Sequence, residues 1–407
     1  MYEGPQSPFI DGRKNPYCCK VVAWYTKRVL DPRGWARSLG LTLMSQLVGV
    51  GMGFKKAHLL LLFTLILPLF AWIDAGAIPL RDTSVCTGEF ISVGTPLTDL
   101  GNGEYVRLST GATGFTGGLY PGGSNTRPPE HEQAGIAIAR QIVPLDIAGV
   151  PHSGGRIVLL SIGMSNTFME FRSFSSMVRT ETSPNPAVAL INGAQPGEVA
   201  TEWLDREAPS WEYVDTLLSS NGLSPQQVQV AWVKLTNIPM DQFPRSAQKL
   251  QNDLKVVMRN LKARYPNVRL AYLSSRTRSY TYWYGLNPEP GAYETGFAVK
   301  WLVEEQINGA PDLNYDPEKG PVVAPYLSWG PYLWANGANP RLDGMVWLPE
   351  DMVRDCTHPS PSGSQKIGAL LLAFFKNDPT TSTWFQAPYN FFLPLVGVDW
   401  LRDSNQP

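Results

Sequence analysis

Asp355 and His358 stand three positions apart in the stretch Arg-Asp-Cys-Thr-His-Pro-Ser-Pro-Ser-Gly, residues 354–363. The density of proline and glycine excludes a helix there, so one tight loop can present both side chains to a common point. An imidazole with an ordinary pKa near ~6.5 accepts and returns a proton at neutral pH, and a neighbouring carboxylate fixes its tautomer and stabilises the imidazolium. Such a pair is the acid-base half of a nucleophilic site. A solvated turn would carry the same two residues at the same spacing, so the elements around the loop have to decide between the two readings.

Those elements alternate. Residues 157–162 (IVLLSI) form a continuous apolar run between Gly155 and Gly163, the pattern of a strand buried on both faces of a parallel sheet. Further runs at 187–191, 228–233 and 268–273 read as strands two to four. Helical patterns separate and follow them: Phe168, Phe171 and Phe174 after the first run, residues 211–218, and a stripe of Leu250, Leu254, Met258 and Leu261 in 247–264. A last helix over 362–376 is expected to be capped by Ser362 and Gln365, with Ile367, Leu370, Leu371 and Phe374 facing the core. Strands alternating with helices predict an α/β fold with a mainly parallel sheet.

In such a sheet ligands sit outside the carboxyl ends of the strands. The first strand delivers Gly163-Met164-Ser165 to that rim, the second Gly193, the third Asn237, and the last loop before the final helix Asp355 and His358. A serine, two potential oxyanion donors and a His-Asp pair at one rim are what acyl transfer requires. The same order of Ser, Gly, Asn and D-x-x-H, over about 156–377, resembles the SGNH (GDSL-type) hydrolase superfamily. The resemblance implies a three-layer, flavodoxin-like α/β fold. It also implies Ser165 as nucleophile, His358 as general base and then acid, and Asp355 as its orienter. The Ser165 and Gly193 N–H groups and the Asn237 side chain would form the oxyanion hole. The chain departs from the family pattern in having Met164 where an aspartate is usual, and Lys234-Leu235-Thr236-Asn237 where G-x-N-D is usual. Taken singly, Ser165 could instead cap a helix, Gly193 permit a turn, and Asn237 brace a loop.

Residues 274–342 break the strand-helix rhythm with an aromatic, proline-bearing segment that includes a helical pattern around 295–307, expected as an insertion over the sheet's C-terminal edge. Tyr282 and Trp283 in it, and Lys234 at a strand end, are candidates for substrate binding, Lys234 alternatively for a structural salt bridge. Glu289 and Glu294 could in principle act as a glycosidase pair, or be a solvated or structural one. His131, in a short helix over 130–142, reads as a surface or packing histidine.

With 43% hydrophobic and 17% charged residues the chain can bury a large core, and a net charge of −1 gives no electrostatic reason to expect nucleic acid. Four His and four Cys, scattered, leave little for a metal site, and no cofactor is expected. Lys55-Lys56, the apolar run 57–73 and Ala75-Gly76-Ala77 read in order as a secretory signal, with an uncleaved membrane anchor the alternative. Residues 1–51 form an extension of no clear pattern, with Met52 or Met44 the expected start. The remaining organisation is a signal or anchor at 52–77, a Gly/Pro-rich wrap at 78–155, the hydrolase-like domain at 156–377 and a tail at 378–407. After cleavage Cys86 and Cys356 remain, either as one disulfide or as two thiols. The expectation is a secreted or periplasmic serine esterase acting on a small-molecule or carbohydrate ester, through an acyl-enzyme. The alternative is a non-catalytic carbohydrate-binding protein on the same fold.

Overall fold

The computed structural model describes residues 86–181 and 183–387. The upstream extension and the expected signal or anchor segment lie outside these residues, as does the end of the tail beyond 387. Among the described residues no helix is long and apolar enough to cross a membrane.

Five parallel strands form the central sheet: β3 (Ile157–Gly163), β4 (Val188–Asn192), β5 (Val228–Lys234), β6 (Leu270–Leu273) and β7 (Tyr326–Trp329). Their order is β4-β3-β5-β6-β7, the doubly wound, flavodoxin-like order. Every residue of β3 and β5 is buried, as expected of central strands covered on both faces. Alternation divides their side chains between two layers. Val158, Leu160, Ile162, Ala231 and Val233 join the apolar cluster of one face, while Ile157, Leu159, Val230 and Trp232 join that of the other. Val228 precedes a register shift in β5 and packs with the first face. α4 (Pro209–Ser220), α5 (Arg245–Arg264) and α6 (Gly291–Ile307) cover the first face. α3 (Ser165–Thr180) and α7 (Pro361–Asn377) cover the second.

Two expectations are corrected here. β7 lies within the segment expected as an insertion and pairs with β6 from Leu270↔Tyr326 to Leu273↔Trp329, so that segment also completes the sheet. The cap of α7 is Ser360, whose Oγ accepts from the Gly363 N–H at 3.3 Å, with Pro361 in the first turn. Proline favours that first position because its missing N–H would have no helical partner there.

The Gly/Thr-rich tract before β3 contains a hairpin of β1 (Glu104–Arg107) and β2 (Gly111–Thr116), flanked by α1 (Leu97–Leu100) and α2 (Pro129–Ala139). Tyr105 of β1 packs against Phe243, Tyr293 and Phe297, with ring centroids 4.9–5.4 Å apart, which fastens the tract to α6. In α2, His131 is buried, stacks on Tyr326 and hydrogen-bonds the Leu327 carbonyl at 2.8 Å, a packing histidine. After Phe375, α8 (Ser382–Phe385) folds back and buries Trp384 and Phe385 on α7.

Candidate active site

β3 ends at Gly163 and α3 begins at Ser165, with Met164 in extended conformation between them. A Cβ at position 163 would stand 2.3 Å from Thr167 Oγ1 and 2.6 Å from the Lys234 carbonyl, so only glycine admits the Thr167 Oγ1–Lys234 O hydrogen bond that closes this corner. Ser165 makes no cap. It opens the helix, and its Oγ lies 2.6 Å from His358 Nε2. Met164 is buried in the core of the first face, so the position where the resembled family carries aspartate is filled here by apolar packing.

The partner loop is fixed by its own backbone. Asp355 Oδ1 accepts the N–H groups of Thr357 and His358 at 3.0 and 2.9 Å, an Asx-type turn, and Val353 N–H donates to the His358 carbonyl at 2.9 Å. Asp355 Oδ2 is 2.6 Å from His358 Nδ1. A carboxylate only accepts, so Nδ1 carries the proton and the Nε2 lone pair faces the Ser165 hydroxyl. Burial pushes the Asp355 carboxyl up, but the bonds from His358 Nδ1 and the two backbone N–H groups outweigh it, and its pKa is lowered. The His358 side chain keeps about a quarter of its surface open (24%), enough for a substrate to reach it. Cys356 in the same turn has a φ of 65° and is joined by a disulfide to Cys86, while its carbonyl accepts from Tyr280 N–H at 2.8 Å.

Gly193 follows β4 and is buried, and its N–H donates to no other backbone group among the described residues. A Cβ there would meet the Ser161 carbonyl at 2.8 Å and Leu160 Cδ1 at 2.9 Å, so the chain passes too close for any other residue. The first-turn N–H groups of α3, Ser165 included, have no helical acceptor. Asn237 is buried, and its Nδ2 donates to Asp253 Oδ2 at 2.6 Å, which commits one of its two N–H bonds to α5.

The other candidates separate clearly. Lys234 Nζ is buried against Glu170 of α3, 2.6 Å from each carboxylate oxygen, the structural alternative of its two readings. Burial pushes Glu170 up and Lys234 down, and each opposes that in the other. Tyr282 and Trp283 are about two-thirds exposed (66% and 65%) on the segment that the Tyr280–Cys356 bond ties to the acid-base loop. Glu289 accepts from Ser279 N–H, Tyr293 N–H and Trp334 Nε1, and Glu294 is sealed against Arg107 and Tyr105. Both glutamates are thus used in holding the segment. No group of three or more His, Cys, Asp or Glu among the described residues is placed to hold a metal ion.

Sequence reasoning missed Glu170, Arg276 and Thr357, and gave Asn166 no role. Asn166 and Thr357 carried only their places next to Ser165 and His358, and they meet across 191 residues of chain. Glu170 and Arg276 meet their partners across 64 and 81 residues.

No protein-family model matches the sequence, and no curated protein is significantly similar to it. Among solved structures the chain is similar to a family two carbohydrate esterase from Clostridium thermocellum, at 14% identity over 56% of this chain and 66% of that one, with a TM-score of 0.33. It is similar also to the periplasmic domain of a lipopolysaccharide acetyltransferase from Salmonella ser. Paratyphi A, at 10% identity over 60% and 94% of the two chains, with a TM-score of 0.29. A third likeness is to an extracellular lipase from Streptomyces rimosus, at 10% identity over 52% and 96%, with a TM-score of 0.26.

Proposed function

We propose that this protein is a serine-dependent ester hydrolase or acyltransferase, working through an acyl-enzyme on Ser165. The observation that carries the reading is the continuous hydrogen-bonded chain Ser165 Oγ–His358 Nε2–His358 Nδ1–Asp355 Oδ2, with both contacts at 2.6 Å. As Oγ attacks the ester carbonyl, its proton passes to Nε2, and the imidazolium is stabilised by Asp355. The developing oxyanion is met by the Ser165 and Gly193 N–H groups at the start of α3 and the end of β4, joined by the second N–H of Asn237. Nε2 then returns the proton to the leaving alcohol, and a water or an acceptor hydroxyl releases the acyl group by the reverse steps.

The substrate we infer is an acylated carbohydrate. Tyr282 and Trp283 offer exposed, flat amphipathic faces on the segment tied to the acid-base loop, suited to sugar rings, and the net charge of −1 gives no pull on a highly charged substrate. A space outside the cytoplasm agrees with the apolar run at 57–73 and with a disulfide in the loop.

The test is to treat the protein with a fluorophosphonate probe and map the adduct by peptide mass spectrometry. The reading expects modification of Ser165, abolished in His358→Ala. With the adduct placed, Trp283→Ala is expected to raise KM for an acetylated polysaccharide roughly tenfold while leaving p-nitrophenyl acetate turnover unchanged, because only the larger substrate reaches the aromatic face. Glycan binding unaffected by Ser165→Ala, with no adduct and no ester turnover, would establish the binding-only alternative.

A further inference from the structure

The distance between Ser165 and His358 joins two elements that are 193 residues apart in the chain, and nothing in the Asx-type turn itself sets it. Thr357, between the disulfide-bonded Cys356 and His358, is buried and uses every polar group it has. Its N–H donates to Asp355 Oδ1. Its carbonyl accepts from Asn166 Nδ2 at 2.7 Å, and Asn166 is the residue after the serine. Its Oγ1 accepts from Arg276 Nη2 at 2.9 Å and lies 3.1 Å from Ser279 Oγ. One residue thus contacts the carboxylate, the helix that carries the serine, and the buried polar segment following β6.

Arg276 supplies the rigidity. It is buried, its backbone N–H donates to Thr295 Oγ1 of α6 at 3.1 Å, and its Nε makes no hydrogen bond among the described residues. Thr357 Oγ1 is the one side-chain acceptor that its guanidinium has found among them. A charge-assisted bond from a buried guanidinium is short and directional, so it holds the hydroxyl against a fixed post.

We propose that Thr357, anchored by Arg276 and clasped by Asn166, is the positioning residue that sets the Ser165–His358 contact. It touches neither substrate nor the reacting atoms. The role rests on the proposed serine mechanism, in which a displacement of about 1 Å at the reacting pair costs on the order of 10²-fold in rate.

The experiment compares wild type, Asn166→Ala, Thr357→Val, Thr357→Ser and Ser165→Ala as full-length proteins. Their folding is checked by urea midpoint, and the rate of fluorophosphonate labelling is measured together with the low-field proton resonance of His358 Nδ1, assigned with His358→Ala. Asn166→Ala and Thr357→Val are expected to label 10- to 100-fold more slowly, as order-of-magnitude figures. In Thr357→Val the low-field resonance should broaden or shift, and Thr357→Ser, which keeps the hydroxyl, should recover both readouts. Labelling of Asn166→Ala and Thr357→Val within twofold of wild type would overturn the proposal while leaving the serine mechanism intact. If wild type labels no better than Ser165→Ala, the serine mechanism fails instead. The proton resonance then decides alone: unchanged in Thr357→Val, it overturns the positioning role, and perturbed there but restored in Thr357→Ser, it supports it.

Discussion

Lys234→Met is the perturbation whose cost follows most directly from the structure. The Glu170 side chain has no exposure, and among the described residues its two oxygens accept only from Lys234 Nζ, at 2.6 Å each. Removing the ammonium leaves a carboxylate inside the protein with no hydrogen-bond donor among the described residues, a change that typically costs about 3–5 kcal/mol. Replacing both residues, as in Glu170→Leu with Lys234→Met, removes the charge as well as its partner and should return stability to within about 1 kcal/mol of wild type or above it. Urea unfolding of the four proteins closes the cycle, and the two single losses together should far exceed the loss in the double variant. The pH dependence has a definite sign. Burial raises the Glu170 pKa above its usual 4.5, so the carboxyl contributes most below the unfolded value and loses that contribution as pH rises through the folded one. In Lys234→Met, without the opposing ammonium, the deficit should therefore be small near pH 4.5 and grow as pH rises. A deficit below about 1 kcal/mol at neutral pH, accompanied by a tenfold rise in KM, would refute this placement and make Lys234 a substrate contact.

Two further outcomes test the frame around the site. Burial lowers the His131 pKa from 6.5 to about 4, with Arg127 adding to the effect and the Leu327 carbonyl opposing it. At about 1.4 kcal/mol per pKa unit, that histidine contributes about 3 kcal/mol that is fully present above pH 6.5 and lost as pH falls toward 4; His131→Gln should flatten the urea midpoint over this window, and an unchanged slope would contradict it. The Cys86–Cys356 bridge closes a separation of 270 residues and ends inside the Asp355–His358 turn. Cys86→Ser with Cys356→Ser should lower unfolding stability by about 2–5 kcal/mol and slow fluorophosphonate labelling, whereas loss of stability with labelling unchanged would separate the bridge from the site.

The parts legible in the sequence are those written in local pattern. The apolar runs that became β3, β5 and β6 could be read because a strand covered on both faces admits little else, β4 because its run stays apolar although it lies at the sheet edge and is only partly buried, and α5 showed its stripe because one face meets the sheet while the other meets water. The Asp355–His358 contact was readable from a spacing of three within one turn. β7 was not, because Tyr-Leu-Ser-Trp is four residues long, lies at the sheet edge and sits among other aromatic residues. The hairpin of β1 and β2 was hidden by its glycines, which serve turns and also dilute any alternation. The Glu170–Lys234 pair has no signature in spacing at all. Its members lie on α3 and at the end of β5, and only the packing of that helix over that strand makes them neighbours.

Asn237 is where resemblance and geometry pull apart, and the physical question is what its amide can still do. One N–H is spent on Asp253 Oδ2 at 2.6 Å, an oxygen that also accepts from Lys249 Nζ. A carboxylate accepts but cannot donate, so this contact fixes the amide with nitrogen toward α5 and leaves the second N–H aimed elsewhere in a loop that follows β5. If that hydrogen serves the oxyanion, Asp253 orients it, as partners behind a reacting group commonly do. Asn237→Ala should then lower kcat by about 10²- to 10³-fold with KM nearly unchanged, because the lost bond strengthens only as the oxyanion forms. Asp253→Ala should lower kcat by a smaller factor, since the amide remains but is free to turn. If Asn237→Ala keeps kcat and lowers only stability, Asn237 is a brace between β5 and α5. The oxyanion would then depend on the two backbone donors, Ser165 and Gly193, whose N–H groups no substitution other than proline removes.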